Sequence, residues 1–463
     1  MKLFNRILLF TILFAPSIYG QTVSYEKGII IDSIPVDKDS GETFALYLPR
    51  SYNPVEKSAI VFIYEPAARG RVGVEPFIEA AELYNYILIC SNNSKNGPYE
   101  KNFEILNSLF TSVFNQFDID ANQVYTAGFS GGSRLAVTVA VLTGEIQGVI
   151  ACGGGFSSQP EHIPSEGAFS YVGLVGYRDM NYREMIENIQ WLDRVTIENE
   201  LFTYDDEHNW PPSDQIIRAF DWLEIQAYKK GIRKRNDSII EVAFYRNYQW
   251  IDSLKNQKDL YRMGWEYKRL VSSFRTYMNT DTLSHKYSQL KKNKLYKKQQ
   301  QIHNRLLEEE IVIVRKFRDR FYKELETPKA IKEFKWWNKE IEKFDKIYIE
   351  EASGEVKRMG QRIRYMLFAM VYEPANFYME NEIYEKALYC NRLLTVILPE
   401  YPFAYYRLAR DYARKYDEEN FIINLEKAIE KGLDDKNRIE STKEFIPFLN
   451  KEAYKNLMNK YFD

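Results

Sequence analysis

Cysteine and histidine are both scarce in this chain, with three and four residues respectively among 463. Three thiols cannot build a disulfide framework. Cys90 and Cys152 each end an apolar, strand-like run and Cys390 falls in a helical pattern, so all three are expected as buried free thiols without a catalytic role. An excess of charge of either sign is missing too. Lys and Arg number 63 against 65 Asp and Glu, a net charge of −2, which removes the electrostatic case for a nucleic acid or an anionic membrane as partner. The apolar run at 7–19 is too short to span a bilayer comfortably. It follows Lys2 and Arg6 and leads to Gly20, the pattern of a secretory signal peptide. No cysteine stands near that point, so a lipoprotein anchor is not expected. The expectation is an exported protein, periplasmic or secreted, starting near Gln21, with no integral membrane segment once the signal is removed.

What is present suits a globular protein of two or three domains: 45% hydrophobic and 28% charged residues. In the first half, strand-like runs recur at 28–34, 44–48, 59–64, 86–90, 123–127, 148–152, 171–175 and 201–204. Between them, apolar residues at helical spacing mark 76–83, 106–117 and 184–199. Two hairpin-like strands followed by strand–helix alternation predict a mostly parallel sheet with helices on both faces. The segment Val137-Thr138-Val139-Ala140-Val141 alternates like a strand. A helix is expected there, because of what precedes it.

That preceding stretch is Gly128-Phe129-Ser130-Gly131-Gly132, set between an apolar strand and an apolar helix. A Gly-x-Ser-x-Gly in this setting predicts a nucleophile elbow, with the serine hydroxyl raised above the sheet and glycines permitting close backbone approach. Ser130 then needs a base and an acid. His162 lies in a short loop before the strand at 171, and His285 and His303 lie among Lys- and Gln-rich helical residues, where they are expected to face solvent. His208 alone follows the last strand. The acid is expected on the loop after the strand at 171–175, which offers Asp179; Asp205 and Asp206 are alternatives, and an N-cap is the structural role Asp179 could have instead. For the oxyanion hole, Gly131 supplies the first backbone amide. Pro66 has no N–H, so Ala67 is expected to supply the second. Glu65, Asn92 and Asn93, at the carboxyl ends of their strands, and Trp210, beside the base, are candidate substrate contacts. For the two asparagines a hydrogen-bonded turn is an equal alternative.

With Gly128 to Gly132, the loop Gly176 to Asp179 and His208-Asn209-Trp210-Pro211-Pro212 in view, residues from about 28 to 228 resemble an α/β-hydrolase of the polyhydroxybutyrate-depolymerase and feruloyl-esterase type. The last motif is similar to the His-x-Trp-Pro segment of those esterases. The resemblance implies carboxylic ester hydrolysis through an acyl-enzyme, with no metal or organic cofactor. Two residues depart from it. Glu65-Pro66 replaces the usual His-Gly after the third strand, and Glu207 rather than glycine precedes the base. A Glu65 carboxylate pointing inward would disfavour anionic acyl groups.

Beyond Ser213 the pattern is helical. Near the end, Ala375 and Ala409 stand 34 residues apart, as do Tyr378 and Tyr412. Ala387, Pro399, Tyr405, Leu408 and Ala428 fit the contact and terminating positions of such a unit. The stretch resembles tetratricopeptide repeats, which implies stacked helix pairs and a surface of the kind that binds a protein partner. The expected division is a signal at 1–20, an α/β-hydrolase domain at 21–230, a helical region at 231–367, and repeats at 368–463 with a capping helix near 451–460. The function expected is that of a serine carboxylesterase acting on a small or polymeric ester. The alternatives are a binding or scaffold protein on a degenerate hydrolase platform, and a peptidase or acyltransferase using the same three residues.

Overall fold

The computed structural model describes residues 25–462, apart from 166, 168 and 332. The expected signal segment therefore lies outside the described residues. The chain forms two compact units, 1–302 and 303–463.

The first unit is built on an eight-stranded sheet: β1 (Ile30–Pro35), β2 (Thr43–Tyr47), β3 (Ser58–Tyr64), β4 (Tyr86–Ser91), β5 (Ile119–Phe129), β6 (Gly148–Cys152), β7 (Ser170–Gly176) and β8 (Asn199–Tyr204). Their spatial order is β1-β2-β4-β3-β5-β6-β7-β8. The β1–β2 and β2–β4 pairs are antiparallel and every other pair is parallel. This is the strand order of the α/β-hydrolase fold. Crossover helices connect most of the parallel strands: α1 (Gly70–Val74), α2 (Ile78–Tyr84), α3 (Tyr99–Gln116), α4 (Gly131–Thr143) and α5 (Tyr182–Arg194), with α6 (Ser213–Lys229) after the last strand.

The central strands are uninterrupted apolar runs because both faces are covered. In β3, Ala59, Val61 and Ile63 join a core with Phe77 and Ala80 near α2 and with Phe220 of α6. Phe62, on the other face, meets Phe110 of α3 edge-on, ring centroids 4.4 Å apart. The β-branched stretch of α4 is helical as expected. Residues 135–140 are all buried, and the Thr138 hydroxyl donates to the Arg134 carbonyl at 2.8 Å. Burial on a packed sheet outweighs the weak helix propensity of Val and Thr. The helix expected at 184–199 is shorter. It ends at Arg194, with Thr196 in the left-handed region (φ 58°) and the Ile197 amide donating back to the Leu192 carbonyl at 3.0 Å. That turn frees Asn199 to begin β8.

Three more helices, α7 (Asp237–Asn256), α8 (Leu260–Phe274) and α9 (Asp281–Leu290), belong to the same unit and share an apolar cluster with Ile225 of α6. Asn236 caps α7, its side chain accepting from the amides of Ser238 and Ile239. The fully buried Arg218 of α6 ties these helices together. It donates to Glu266 of α8 at 2.7 Å and to Asn247 of α7 at 3.0 Å, and its guanidinium lies 4.5 Å from the Phe202 ring centroid. Glu266 also pairs with Arg269 at 2.5 Å, and Arg269 donates to the Leu201 carbonyl at 2.7 Å.

The second unit holds most of α10 (Lys294–Glu326), followed by α11 (Lys335–Asp345), α12 (Gly354–Glu380), α13 (Tyr384–Ile397), α14 (Pro402–Arg414), α15 (Glu418–Glu430), α16 (Lys436–Ser441) and α17 (Glu452–Phe462). Helices α12 to α15 pack in sequence. Their turns repeat at 34 residues. Glu382 and Tyr416 are both left-handed, and the next amides donate to the carbonyls of Tyr378 (2.7 Å) and Tyr412 (3.0 Å). That is the same Schellman closure twice. Ala375, Ala387, Ala409 and Ala428 are fully buried. One expectation for this unit fails: His303 is buried, with Nδ1 3.9 Å from a Glu355 carboxylate oxygen. Its lysine-rich neighbours face away from the side of α10 that it occupies.

Removing one partner from a buried ion pair leaves the other uncompensated, which costs about 3–5 kcal/mol. Arg218→Met leaves Glu266 with Arg269 as its remaining partner, so it is expected to lower stability by less than that full cost, read as a lower urea midpoint in the full-length protein. Adding Glu266→Leu should recover part of the loss.

Candidate active site

Strands β3 and β5 to β8 run parallel, so their carboxyl ends lie side by side along one edge. Tyr64 of β3 stands beside Gly128, Phe129 beside Cys152, and Gly176 beside Tyr204. Between β5 and α4, Ser130 has φ 54° and ψ −117°, a conformation side-chain-bearing residues seldom adopt. The surrounding glycines are required by contact. A Cβ on Gly132 would strike the Tyr64 carbonyl, its carbon only 2.7 Å away, and one on Gly128 would lie 2.7 Å from the Ser133 nitrogen. The Ser130 amide donates to the Cys152 carbonyl at 2.8 Å, tying the elbow to β6.

His208 Nε2 lies 3.0 Å from Ser130 Oγ, and its Nδ1 lies 2.9 Å from both carboxylate oxygens of Asp179. Neighbouring strands deliver the last two residues on loops that are zipped together. The Tyr177 amide donates to the Tyr204 carbonyl (2.7 Å) and the Arg178 amide to the Asp206 carbonyl (2.9 Å). Gly176 makes this possible, since a Cβ there would meet the Asp206 backbone. Phe129 stacks against the imidazole, centroids 4.7 Å apart, and Trp210 backs Phe129 at 5.2 Å. Asp179 is 1% exposed. Burial pushes its carboxyl above the ordinary range, opposed by the hydrogen bonds from His208 and from the Asn181 amide. Asp179 does not cap α5; Asn181 occupies that position. Of the alternative acids, Asp205 pairs with Arg178, while Asp206 accepts from the Glu207 amide and the Asn209 side chain.

Several expected site residues have other work. Glu65 is buried, and its carboxylate turns back on its own loop, accepting from the amides of Ala67 (2.7 Å) and Arg69 (3.0 Å) and from the Arg69 guanidinium. Neither the Glu65 carboxylate nor the Ala67 amide is available to a substrate, which corrects both expectations. Asn92 accepts from the Gly70 amide (2.8 Å) and donates to Asp32 and Thr43, while Asn93 accepts from the Thr43 amide (2.8 Å). Both asparagines fasten the loops of β2 and β4 rather than line a substrate surface. Trp210 is likewise a support, its half-buried ring against Phe129 and Phe77. Gly131, first residue of α4, keeps its amide at the helix N-terminus beside Ser130. His162 is buried against Tyr99 and Phe103, and desolvation lowers its pKa. The three cysteines are free and buried.

Sequence reasoning missed the run Gly153-Gly154-Gly155, which wraps the elbow from the β6 side. Gly153 is left-handed (φ 56°), and its carbonyl accepts from Asn181 Nδ2 at 2.7 Å. A Cβ on Gly154 would lie 2.5 Å from the Ser130 carbonyl oxygen, and one on Gly155 would overlap the Asn188 amide. Three consecutive glycines after an apolar strand were the available signal. Among the described residues, no group of three His, Cys, Asp or Glu is disposed to hold a metal ion, and no helix is long and apolar enough to cross a membrane.

No protein-family model and no curated protein matches the chain. Solved structures similar to it include the S-formylglutathione hydrolase FrmB of Staphylococcus aureus, with a TM-score of 0.36 and 14% identity over 43% of this chain and 99% of that one. A ferulic acid esterase gives a TM-score of 0.35 and 12% identity over 42% of this chain and 96% of that one. The butyrate-bound esterase Est2 of Thermogutta terrifontis gives 0.35 and 11% over 44% and 96%.

Gly154→Ala is expected to displace Ser130 without unfolding the sheet, because misplacing a reacting atom by about 1 Å costs roughly 100-fold in rate. The measurement is the labelling rate of Ser130 by a fluorophosphonate at an unchanged circular dichroism spectrum. Gly97→Ala, where the nearest atom to the added Cβ is 3.9 Å away, should label like the parent.

Proposed function

We propose that the first unit is a serine-dependent hydrolase of carboxylic esters. The observation that carries this reading is the His208 imidazole, within hydrogen-bond reach of Ser130 Oγ on one side and of the buried Asp179 carboxylate on the other. With Asp179 ionised, Nδ1 carries the proton and Nε2 is the acceptor that a serine hydroxyl needs. Ser130 Oγ attacks the ester carbonyl carbon, its proton passes to Nε2, and the carbonyl electron pair moves onto oxygen. Asp179 stabilises the imidazolium without taking its proton. The Gly131 amide, at the positive end of α4, donates to the oxyanion. Collapse breaks the bond to the alcohol oxygen, which receives the Nε2 proton and leaves. Water, deprotonated by His208, then attacks the acyl-enzyme, and the acid departs as Ser130 recovers its proton.

The motifs around Ser130 and His208 favour an ester over an amide, through their resemblance to those of polyhydroxybutyrate depolymerases and feruloyl esterases. We further propose export through the signal at 1–20 and tetratricopeptide-like packing at 368–435. The twice-repeated Schellman turn and the buried alanines at 34-residue spacing support the latter.

On p-nitrophenyl acetate and butyrate, Ser130→Ala and His208→Ala are expected to abolish turnover. Asp179→Asn should lower kcat by about 10⁴-fold, because the amide favours the wrong imidazole tautomer. Ester hydrolysis that survives Ser130→Ala would overturn the assignment, and faster cleavage of matched anilides would turn it towards a peptidase. For export, N-terminal sequencing of protein recovered outside the cytoplasm should begin near Gln21, and an intact Met1 there would overturn it.

A further inference from the structure

We propose that the side-chain amide of Asn96 is the second oxyanion donor of this site, a role that rests on the ester-hydrolase reading. An oxyanion flanked by one amide is poorly stabilised, and the usual source of a second is the loop after the third strand. Here that loop has nothing to give. Pro66 lacks an N–H, and each of the next four amides is already donated. Ala67 and Arg69 donate to the Glu65 carboxylate (2.7 and 3.0 Å), Ala68 to the Glu65 carbonyl (3.1 Å), and Gly70 to Asn92 (2.8 Å).

Asn96 lies against Gly131. Its carboxamide occupies the space in which a Cβ on Gly131 would stand, with Cγ 2.7 Å and Nδ2 3.1 Å from that point and Oδ1 closer still. It therefore lies against the residue whose amide is the first donor. Gly131 and Asn96 imply each other, since any side chain at 131 would expel the carboxamide. The loop that carries Asn96 is fixed at several points. The Asn96 amide donates to the Pro66 carbonyl at 2.9 Å, and Ala67 and Lys95 form an isolated β-bridge. Asn102 clamps both the amide (3.1 Å) and the carbonyl (2.9 Å) of Lys95. Ser91 Oγ accepts from the amides of Asn93 and Ser94, each at 3.0 Å. A side chain carried on a backbone fixed this way needs little movement of its loop when charge develops, which is what makes such groups effective. Glu65 thus has an indirect part. Its carboxylate consumes the amides of its own loop and stiffens the platform to which the Asn96 loop is pinned.

The test uses the full-length protein with p-nitrophenyl butyrate and compares Asn96→Ala, Asn96→Asp and Gly131→Ala with the parent. Loss of one oxyanion donor lowers kcat by about 100-fold or more, and KM should change little because the interaction forms in the transition state. Affinity for an aryl trifluoromethyl ketone, which forms a tetrahedral adduct on serine, should fall by the same factor as kcat/KM, while affinity for butyrate stays. Gly131→Ala should reproduce the loss, and the double variant with Asn96→Ala should lose little more. The isosteric Asn96→Asp places negative charge beside the oxyanion and should lose at least as much as Asn96→Ala; it carries the test if the alanine variant folds poorly. Asn96→Ala or Asn96→Asp that is folded and retains parental kcat would overturn the assignment of Asn96 alone. A parent chain that neither hydrolyses esters nor labels on Ser130 would overturn the underlying reading, and this one with it.

Discussion

Ser130 holds φ 54° and ψ −117°, and the carboxyl edge of the sheet is packed around that single backbone conformation. Such a residue costs of order 1–3 kcal/mol and persists only when its surroundings over-determine it. Three neighbouring strands do so here. Tyr64 at the end of β3 presses on Gly132, Gly128 of β5 presses on the first turn of α4, and Gly154 after β6 presses on Ser130 itself. All of these are backbone contacts, which no rotamer change can relieve. The strand order is what brings those three strands together, so the topology and the strained serine are one constraint seen at two scales.

The same logic extends to the imidazole and the carboxylate. They come from β7 and β8, the next strands along the edge, and Gly176 lets their loops run in contact. His208 is then set from two sides, by the Asp179 carboxylate and by the Phe129 ring. Phe129 is the residue before the serine. A single strand end therefore supplies the hydroxyl and one wall of the base that faces it.

Much of this was legible in the residues, for physical reasons. Central strands buried on both faces must be continuous apolar runs, so β3, β4, β6 and β7 stand out. The elbow, a carboxylate on the β7 exit and a histidine beyond β8 follow from glycine sterics and chain order. In the second unit, buried alanines and the two tyrosines at 34-residue spacing mark turns that close identically. What stayed hidden depends on which partner a polar group finds. Glu65 could point into the site or back onto amides two and four residues ahead, and residue type does not decide between them. Asn92 and Asn93 posed the same choice and took the structural side. The stretch Lys229 to Arg235 looks by composition like a linker. Yet Arg233 is anchored, donating to Glu224 at 2.7 Å and to the Tyr84 carbonyl at 3.2 Å, and against the desolvation of burial Tyr86 and Glu224 hold its pKa up. A long basic side chain reads as solvated until its counter-charge is located.

The turn after β3 shows the same dependence on which partner a polar group finds. A turn can obtain rigidity by satisfying its amides internally, or it can leave amides open for a ligand and rely on packing for its shape. With Glu65 and Pro66 in this turn, the chain takes the first course. A buried carboxylate with two amide donors and a guanidinium is a strongly bonded centre, and it leaves that turn stiff and closed. In the proposed reaction, donation to the substrate moves to a neighbour that the stiff turn can hold. The loop after β4 is such a neighbour, joined to the turn through Pro66, Ala67 and Lys95, and it ends in a carboxamide against Gly131. Glycine at 131 is thus explained by the same exchange that explains Glu65, since the space a side chain would fill has been given to a group from another loop.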